Sequence, residues 1–194
     1  MSDIRSNILI CGTGGQGVLL FSDVLSAAAL ASGLDVKKSE VHGMAQRGGS
    51  VTSHVRFAAR VYSPLIEEGT ADYVVAFEQL EALRYLHYLS AQGTVLMDTL
   101  KVNPMPVLVG TARYPTDVVE RVRAGAGHVQ VVEALKKAKE LGLPRAQNVV
   151  MLGALARLLP IPEAAFTDAL RASVKPRFLD LNLKAFQEGT KLTR

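Results

Sequence analysis

Two glycine-rich segments of this 194-residue chain could hold an anion largely through backbone groups. They are Gly12-Thr13-Gly14-Gly15-Gln16-Gly17 and Glu40-Val41-His42-Gly43-Met44-Ala45-Gln46-Arg47-Gly48-Gly49-Ser50. In Gly12-x-Gly14-x-x-Gly17 the first glycine permits a tight turn, the second lets backbone approach a pyrophosphate, and the third lets helix and strand pack closely. A helix opening near Gln16 aims its free N–H groups and positive dipole end at such an anion. The second segment adds an always-charged guanidinium at Arg47, a carboxamide at Gln46 and the adjacent pair Gly48-Gly49, a set suited to a carboxylate or phosphate. The same residues serve equally as a sharp turn with a solvated arginine, and spacing alone leaves both readings open. Two tight loops so near each other point to one shared binding edge.

The elements that position these loops read as α/β. An apolar run, Asn7 to Cys11, precedes the first glycine cluster, and an apolar-periodic segment, Val18 to Ala31, follows it, closing at Gly33. Asp35 to Ser39 forms a second strand. Ser50 to Phe57 alternates as a half-exposed strand does, continued by Val61-Tyr62. Further strands are expected over Ala71 to Phe77, Thr94 to Met97, Val107 to Val109 and Val129 to Val132, with helices over Gln79 to Leu89 and up to Arg123. The remainder is helical: Ala134 to Leu141, Asn148 to Leu159, Pro162 to Ser173 and Phe178 to Glu188, punctuated by Gly142, Pro144, Pro160 and Pro176. The fold class is therefore a three-layer, Rossmann-like α/β domain over residues 1–194, with a mainly parallel sheet, helices on both faces and a helical C-terminal part.

Composition narrows the function. With 48% hydrophobic residues the chain can bury a substantial core without metal or disulfide support. Net charge is +4, and the densest basic cluster, Lys136, Lys137 and Lys139, lies on a helical pattern with no interleaved aromatics. That is a solvated helix face rather than a nucleic-acid site. The single cysteine, Cys11, ends the first strand as a buried, inert thiol, and no paired Cys or His spacing could hold zinc or an iron–sulfur cluster. No metal site is expected, and any electron carrier must sit on another chain. Neither a signal peptide nor a membrane-length apolar run is present, so a cytoplasmic protein without membrane contact is expected.

A dinucleotide reading also needs an acid at the end of the second strand for the ribose hydroxyls. Glu40 is the candidate, but the strand before it is polar and runs straight into the second glycine cluster. The other histidines, His54, His87 and His128, fall on elements where a structural, hydrogen-bonded role is expected. Asp98, ending a strand, is an outside candidate.

The two glycine clusters together, Gly12 to Gly17 followed by Ser39-Glu40-Val41-His42-Gly43-Met44-Ala45-Gln46-Arg47-Gly48-Gly49-Ser50-Val51, resemble the gamma-type subunits of 2-oxoacid:ferredoxin oxidoreductases, within them the indolepyruvate branch. Further matches are Ser63-Pro64-Leu65-Ile66, Gly69 with Ala71-Asp72, Glu81 to Arg84, Asn148 with Leu152 to Leu155, and Asn182 to Phe186. Gln79 stands where the family pattern has proline. The resemblance implies a subunit, inactive alone, of an enzyme that decarboxylates a 2-oxoacid on thiamine diphosphate, joins the acyl group to coenzyme A and reduces ferredoxin. Thiamine diphosphate and the iron–sulfur clusters then belong to a partner subunit. The resemblance further implies that this chain completes the active-site wall and helps accommodate coenzyme A. On that basis Gly12, Gly14, Gly15, Gln16, Gly17, Gly48, Gly49 and Ser50 face the cofactor. His42, Gln46 and Arg47 are the candidate catalytic side chains beside the thiamine.

Two rivals stay open. A free-standing NAD- or FAD-binding oxidoreductase would use the glycine loop and Glu40, and a purely structural assembly module would use both loops only for docking.

Overall fold

The computed structural model describes residues 4–42 and 49–193, with the side chain of His42 outside that set. Strand β1 (Ser6–Thr13) alternates Ile8 and Ile10 toward one face and Leu9 and Cys11 toward the other, and all four are fully buried. A continuous apolar run is what a strand covered on both faces requires. Helix α1 (Val18–Ala31) follows and stops at Gly33, whose φ of +81° suits glycine. There Gly33 N–H donates to Leu30 O (3.0 Å) and Leu34 N–H to Ala29 O (3.3 Å), closing the helix with paired backbone bonds.

The remaining strands are β2 (Asp35–His42), β3 (Ser50–Ala58), β4 (Ala71–Ala76), β5 (Leu89–Asp98) and β6 (His128–Val132). The sheet order is β2-β3-β1-β4-β5-β6, with β1, β4, β5 and β6 parallel and β3 antiparallel to both of its neighbours. Helices α1, α5 (Ala134–Glu140), α6 (Gln147–Ala156), α7 (Glu163–Ser173) and α8 (Pro176–Gly189) cover one face. Helices α2 (Gln79–Arg84) and α4 (Val118–Gly125) cover the other. The expected three-layer α/β architecture, mainly parallel sheet and helical C-terminal part are all present.

On the thicker side α6 and α8 meet backbone to backbone. A Cβ placed on Gly153 would lie 2.1 Å from Phe186 O, and one on Gly189 would lie 2.1 Å from Val150 O. Phe166 stacks near Phe186 with ring centroids 5.8 Å apart, and Phe21 of α1 meets Phe77 edge-on at 5.5 Å. Aromatic pairs of this kind add about 1 kcal/mol each beyond the area they bury.

Several boundaries depart from the sequence expectations. Val107 to Val109 is not a strand: α3 (Met105–Leu108) is one helical turn between Pro104 and a glycine at φ +78°, and β6 takes the place beside β5 instead. Val61-Tyr62 does not prolong β3. Val61 N–H is held by the Asp35 carboxylate (2.8 Å), which turns the chain off the sheet. Helix α2 ends at Arg84 rather than Leu89, because Leu86–Tyr88 form a 3-10 turn and β5 begins at Leu89, five residues before the expected Thr94. Helix α1 begins at Val18, not Gln16, and α6 ends at Ala156 rather than Leu159. The polar character of β2 has its reason in position, since β2 is an edge strand with Lys38 ion-paired to Asp23 and Glu40.

Candidate ligand cleft at the glycine loops

The carboxyl end of β1, the start of α1 and the start of β3 converge on one edge. Gly14 N–H donates to Gly49 O (2.9 Å), and Thr13 faces Ser50 across the β1–β3 ladder, so the two glycine clusters do meet. Because β3 runs against β1, its first residues arrive where β1 ends. Between them lies a cleft of about 530 Å³. Its polar wall is backbone from Thr13 to Gly15 and Gly17, and its apolar wall is Val18, Leu19, Leu20 and Val51.

Side-chain amides clip the first loop in place. Gln16 accepts from Thr13 N–H through Oε1 (2.6 Å) and donates to Phe77 O through Nε2 (3.3 Å), so its carboxamide is engaged within the protein. Gln147 Nε2 reaches the same Phe77 O (2.9 Å), and Asn148 Nδ2 donates to Gly17 O (3.2 Å). The crevice between β1 and β4, where doubly wound sheets hold dinucleotides, is thereby crossed by the chain's own amides.

Gly17 is the N-cap of α1 at φ +82°, and a Cβ there would strike Asn148 Nδ2 at 2.4 Å. Gly15, at φ +101°, has open space where a Cβ would sit. With glycine at the N-cap, no side chain caps α1, and its first turn is left to offer N–H groups toward the cleft.

Behind the start of β3 is a set of buried acids. Glu81 is only 3% exposed; Ser50 Oγ donates to its Oε2, and Arg84 Nε stands 3.2 Å from its Oε1. Tyr85 OH is 3.0 Å from Ser50 Oγ. With the Ser50 proton committed to the carboxylate, the tyrosine is the donor in that pair. Glu78 caps α2 by accepting from Glu81 N–H, and also takes Val102 N–H (3.3 Å) and Tyr114 OH (3.4 Å). Burial pushes both carboxyls above the ordinary carboxylate value. Cys11 donates weakly to Glu81 O (3.6 Å), and its thiol is pushed well up by burial and by the adjacent acids, as an inert cysteine should be.

The remaining sequence candidates are placed as follows. His42 ends β2 opposite Val51, and Gln46, Arg47 and Gly48 lie outside the described residues. Gly49 and Ser50 reach the cleft edge, but the Ser50 hydroxyl turns inward to Glu81. Glu40 is not beside the glycine loop: it pairs with Ser53 of β3, which pairs with Ile10 of β1, and its carboxylate binds Lys38 Nζ (2.6 Å). The inserted β3 thus removes the ribose-binding geometry of a dinucleotide fold, because it moves the second strand about 5 Å further out. Asp98 is fully buried, accepting from Leu135 N–H (2.9 Å) and Gln147 Nε2 (2.8 Å), so it anchors α5.

The three other histidines sit in structural surroundings. His54 Nδ1 accepts from Ile66 N–H (3.2 Å), His87 lies tilted against Tyr88 with ring centroids 4.7 Å apart, and His128 is exposed at the start of β6. Lys136 and Lys137 pair with Glu133 and Glu140 on a solvated helix face. Sequence reasoning gave no role to Glu78 or Gln147, and it met Glu81 and Asn148 only as points of resemblance. The Glu78-x-x-Glu81 spacing, one turn apart at a helix start, was the available signal.

Residues 7–192 match the family model described as pyruvate ferredoxin/flavodoxin oxidoreductase. The chain belongs to that family. It is 40% identical over 193 residues to the indolepyruvate oxidoreductase subunit IorB of Thermococcus kodakarensis, covering 97% of this chain and 96% of that one. The crystal structure of a keto/oxoacid ferredoxin oxidoreductase gamma subunit from Geobacter sulfurreducens is 26% identical at TM-score 0.73, covering 97% of this chain and 95% of that one. The 2-oxoglutarate:ferredoxin oxidoreductase of Magnetococcus marinus, solved with 2-oxoglutarate, coenzyme A and succinyl-CoA bound, superposes at TM-score 0.77 over 98% of this chain and 31% of that one. At 23% identity that likeness shows the fold alone.

Enzymes of this family use thiamine diphosphate and iron–sulfur clusters. A cluster does not fit this chain, whose one cysteine is buried with a raised thiol pKa. Among the described residues no group of three His, Cys, Asp or Glu side chains could hold a metal ion, and no helix is long and apolar enough to cross a membrane.

Proposed function

We propose that this chain is the subunit of a 2-oxoacid:ferredoxin oxidoreductase, of the indolepyruvate type, that seats coenzyme A against a thiamine-bearing partner. The observation that carries the reading is the junction of the two glycine clusters, sealed by Gly14 N–H on Gly49 O at the uncapped start of α1. A polar backbone wall facing an apolar one suits a ligand with an anionic end and a long, weakly polar arm, which is the chemistry of coenzyme A. The first-turn N–H groups of α1 and the dipole behind them hold phosphate oxygens, while Val18, Leu19 and Val51 pack along the arm. Arg47, through its fixed charge, neutralises a carboxylate or phosphate, and His42 and Gln46 stand with it at the partner boundary.

Electron transfer and decarboxylation then fall to the partner subunit, which delivers two electrons to ferredoxin. The chain's part is to hold the thiol-bearing cosubstrate and exclude water around the acyl-transfer step. The amide-crossed β1–β4 crevice and the displaced Glu40 speak against an NAD or FAD enzyme. The acyl pocket lies with the partner, and the 40% identity to an indolepyruvate oxidoreductase subunit supports an arylpyruvate as the 2-oxoacid.

The test is Leu19→Glu in the complex with its partner. A carboxylate in the first turn of α1 is favourable to the helix dipole and leaves folding intact, but it repels phosphate. The KM for coenzyme A should rise about tenfold, the equivalent of roughly 1.4 kcal/mol, with the 2-oxoacid KM unchanged. An unaltered coenzyme A KM removes this cleft from the reading.

A further inference from the structure

A charged side chain buried behind the sheet, on the far side from the cleft, has no role in the reading above. Glu81 lies in α2, on the sheet face opposite α1, and is sealed from solvent beneath the point where β3 begins. Its two oxygens are divided between different tasks. Oε1 faces the exposed guanidinium of Arg84 at 3.2 Å, and Oε2 takes the hydroxyl proton of Ser50. Tyr85, on the following turn, donates to the same hydroxyl oxygen at 3.0 Å. Ser50 is thus gripped from below by one residue of α2 and by the residue that ends that helix.

The position of Ser50 in the chain gives that grip its consequence. On one side is Gly49, whose carbonyl accepts from Gly14 N–H at 2.9 Å and joins the two glycine clusters. On the other is Val51, part of the apolar wall of the cleft. Directly across the ladder is Thr13, the last residue of β1 before the glycine loop. Whatever fixes Ser50 therefore fixes a wall, a seam and the mouth of the loop together. A carboxylate is a costly group to bury for packing alone, and it is retained here with its acceptor aimed at one hydroxyl.

We propose that Glu81 is a positioning residue for coenzyme A: acting through Ser50, with Tyr85 in support, it sets the register of the β3 start against the Gly14–Gly17 loop and so the width of the cleft. This rests on the reading of the cleft as the coenzyme A seat. Glu81 touches no substrate in this arrangement. Its effect belongs to cosubstrate capture and not to the chemical step.

The experiment uses the chain assembled with its thiamine-bearing partner, turning over a 2-oxoacid at varied coenzyme A. Glu81→Ala and Ser50→Ala should each raise the coenzyme A KM about tenfold, while kcat at saturating coenzyme A stays within about twofold, since both break the Ser50–Glu81 hydrogen bond and neither removes a group assigned to the chemical step. The double variant should be no worse than Glu81→Ala, because both act on one contact. Glu81→Gln keeps an oxygen that accepts the Ser50 proton and should restore most of the affinity.

An unchanged KM in both alanine variants overturns the proposal, as does a Gln variant as impaired as the Ala one, or a loss carried by kcat instead of KM. If Glu81→Ala does not assemble, Ser50→Ala decides the matter. The Leu19→Glu variant separates the two claims. A raised KM there with normal Ser50→Ala and Glu81→Ala kinetics sinks only the positioning role, and a normal KM in all of them sinks the cleft reading as well.

Discussion

Gly15, exposed at the cleft edge, and Gly153, buried between two helices, both exclude a side chain, yet for opposite reasons. Gly15 has open space where a Cβ would sit, but its φ of +101° is one that side chains resist. Gly153 has ordinary helical backbone within α6, but a Cβ would lie 2.1 Å from Phe186 O of α8. The first is a conformational requirement at the edge of the cleft, and the second is a packing requirement in the core. Glycine in a sequence marks only that something excludes a side chain. Whether the cause is torsion or contact decides whether the loss falls on ligand affinity or on stability.

The largest effect should come from the contact side. Gly153→Ala must push α8 off α6, and we expect a loss of about 3 kcal/mol, seen as a lower denaturation midpoint at unchanged slope. A midpoint within error of the parent would mean that the two helices can part freely. On the torsional side, Gly15→Ala and Gly33→Ala both force alanine into positive φ and should each cost about 1 kcal/mol. Only Gly15→Ala should also raise the coenzyme A KM, because Gly33 closes the far end of α1. Equal effects on KM would break the distinction between the two sites.

The smallest effect sharpens the comparison from the acid side. Glu81 holds its proton more tightly folded than unfolded, because burial raises its pKa. Its unfavourable contribution is absent below the ordinary carboxylate value of about 4 and grows as pH climbs through the raised folded value. His54, whose pKa burial lowers, acts in the reverse sense, so the difference between parent and Glu81→Gln isolates the glutamate. Melting scans from pH 5 to pH 8 should show the Gln variant gaining on the parent as pH rises. A gap that narrows with pH would contradict the burial of that charge.

Much of the scaffold is legible in the residues themselves. The run from Ile8 to Cys11 announces a strand buried on both faces, and the periodic segment ending before Gly33 announces α1 together with its stop. The turn at Met105–Leu108 is misread because Val107 and Val109 have strand propensity, while Pro104, Pro106 and a sheet edge already taken by β6 decide otherwise. Strand order is harder to see. Nothing local in Ser50 to Phe57 tells that it runs backwards between β1 and β2, since that pairing depends on partners some 40 residues away. The juncture of the glycine clusters could be expected from their nearness in sequence. The inward turn of Ser50 could not, because an acid near a helix start ordinarily reads as a solvated partner of the dipole.

The reversed strand also shapes how the molecule comes together. The β1–α1–β2 crossover sets down two strands with a gap of one strand between them, and only β3, doubling back from β2, can fill it. Until it does, β1 and β2 both present unpaired backbone to their surroundings, an open slot that the same segment of a neighbouring molecule fits equally well. Exchange of this hairpin between copies is the misassembly that the topology invites, and completing the slot early is what guards against it.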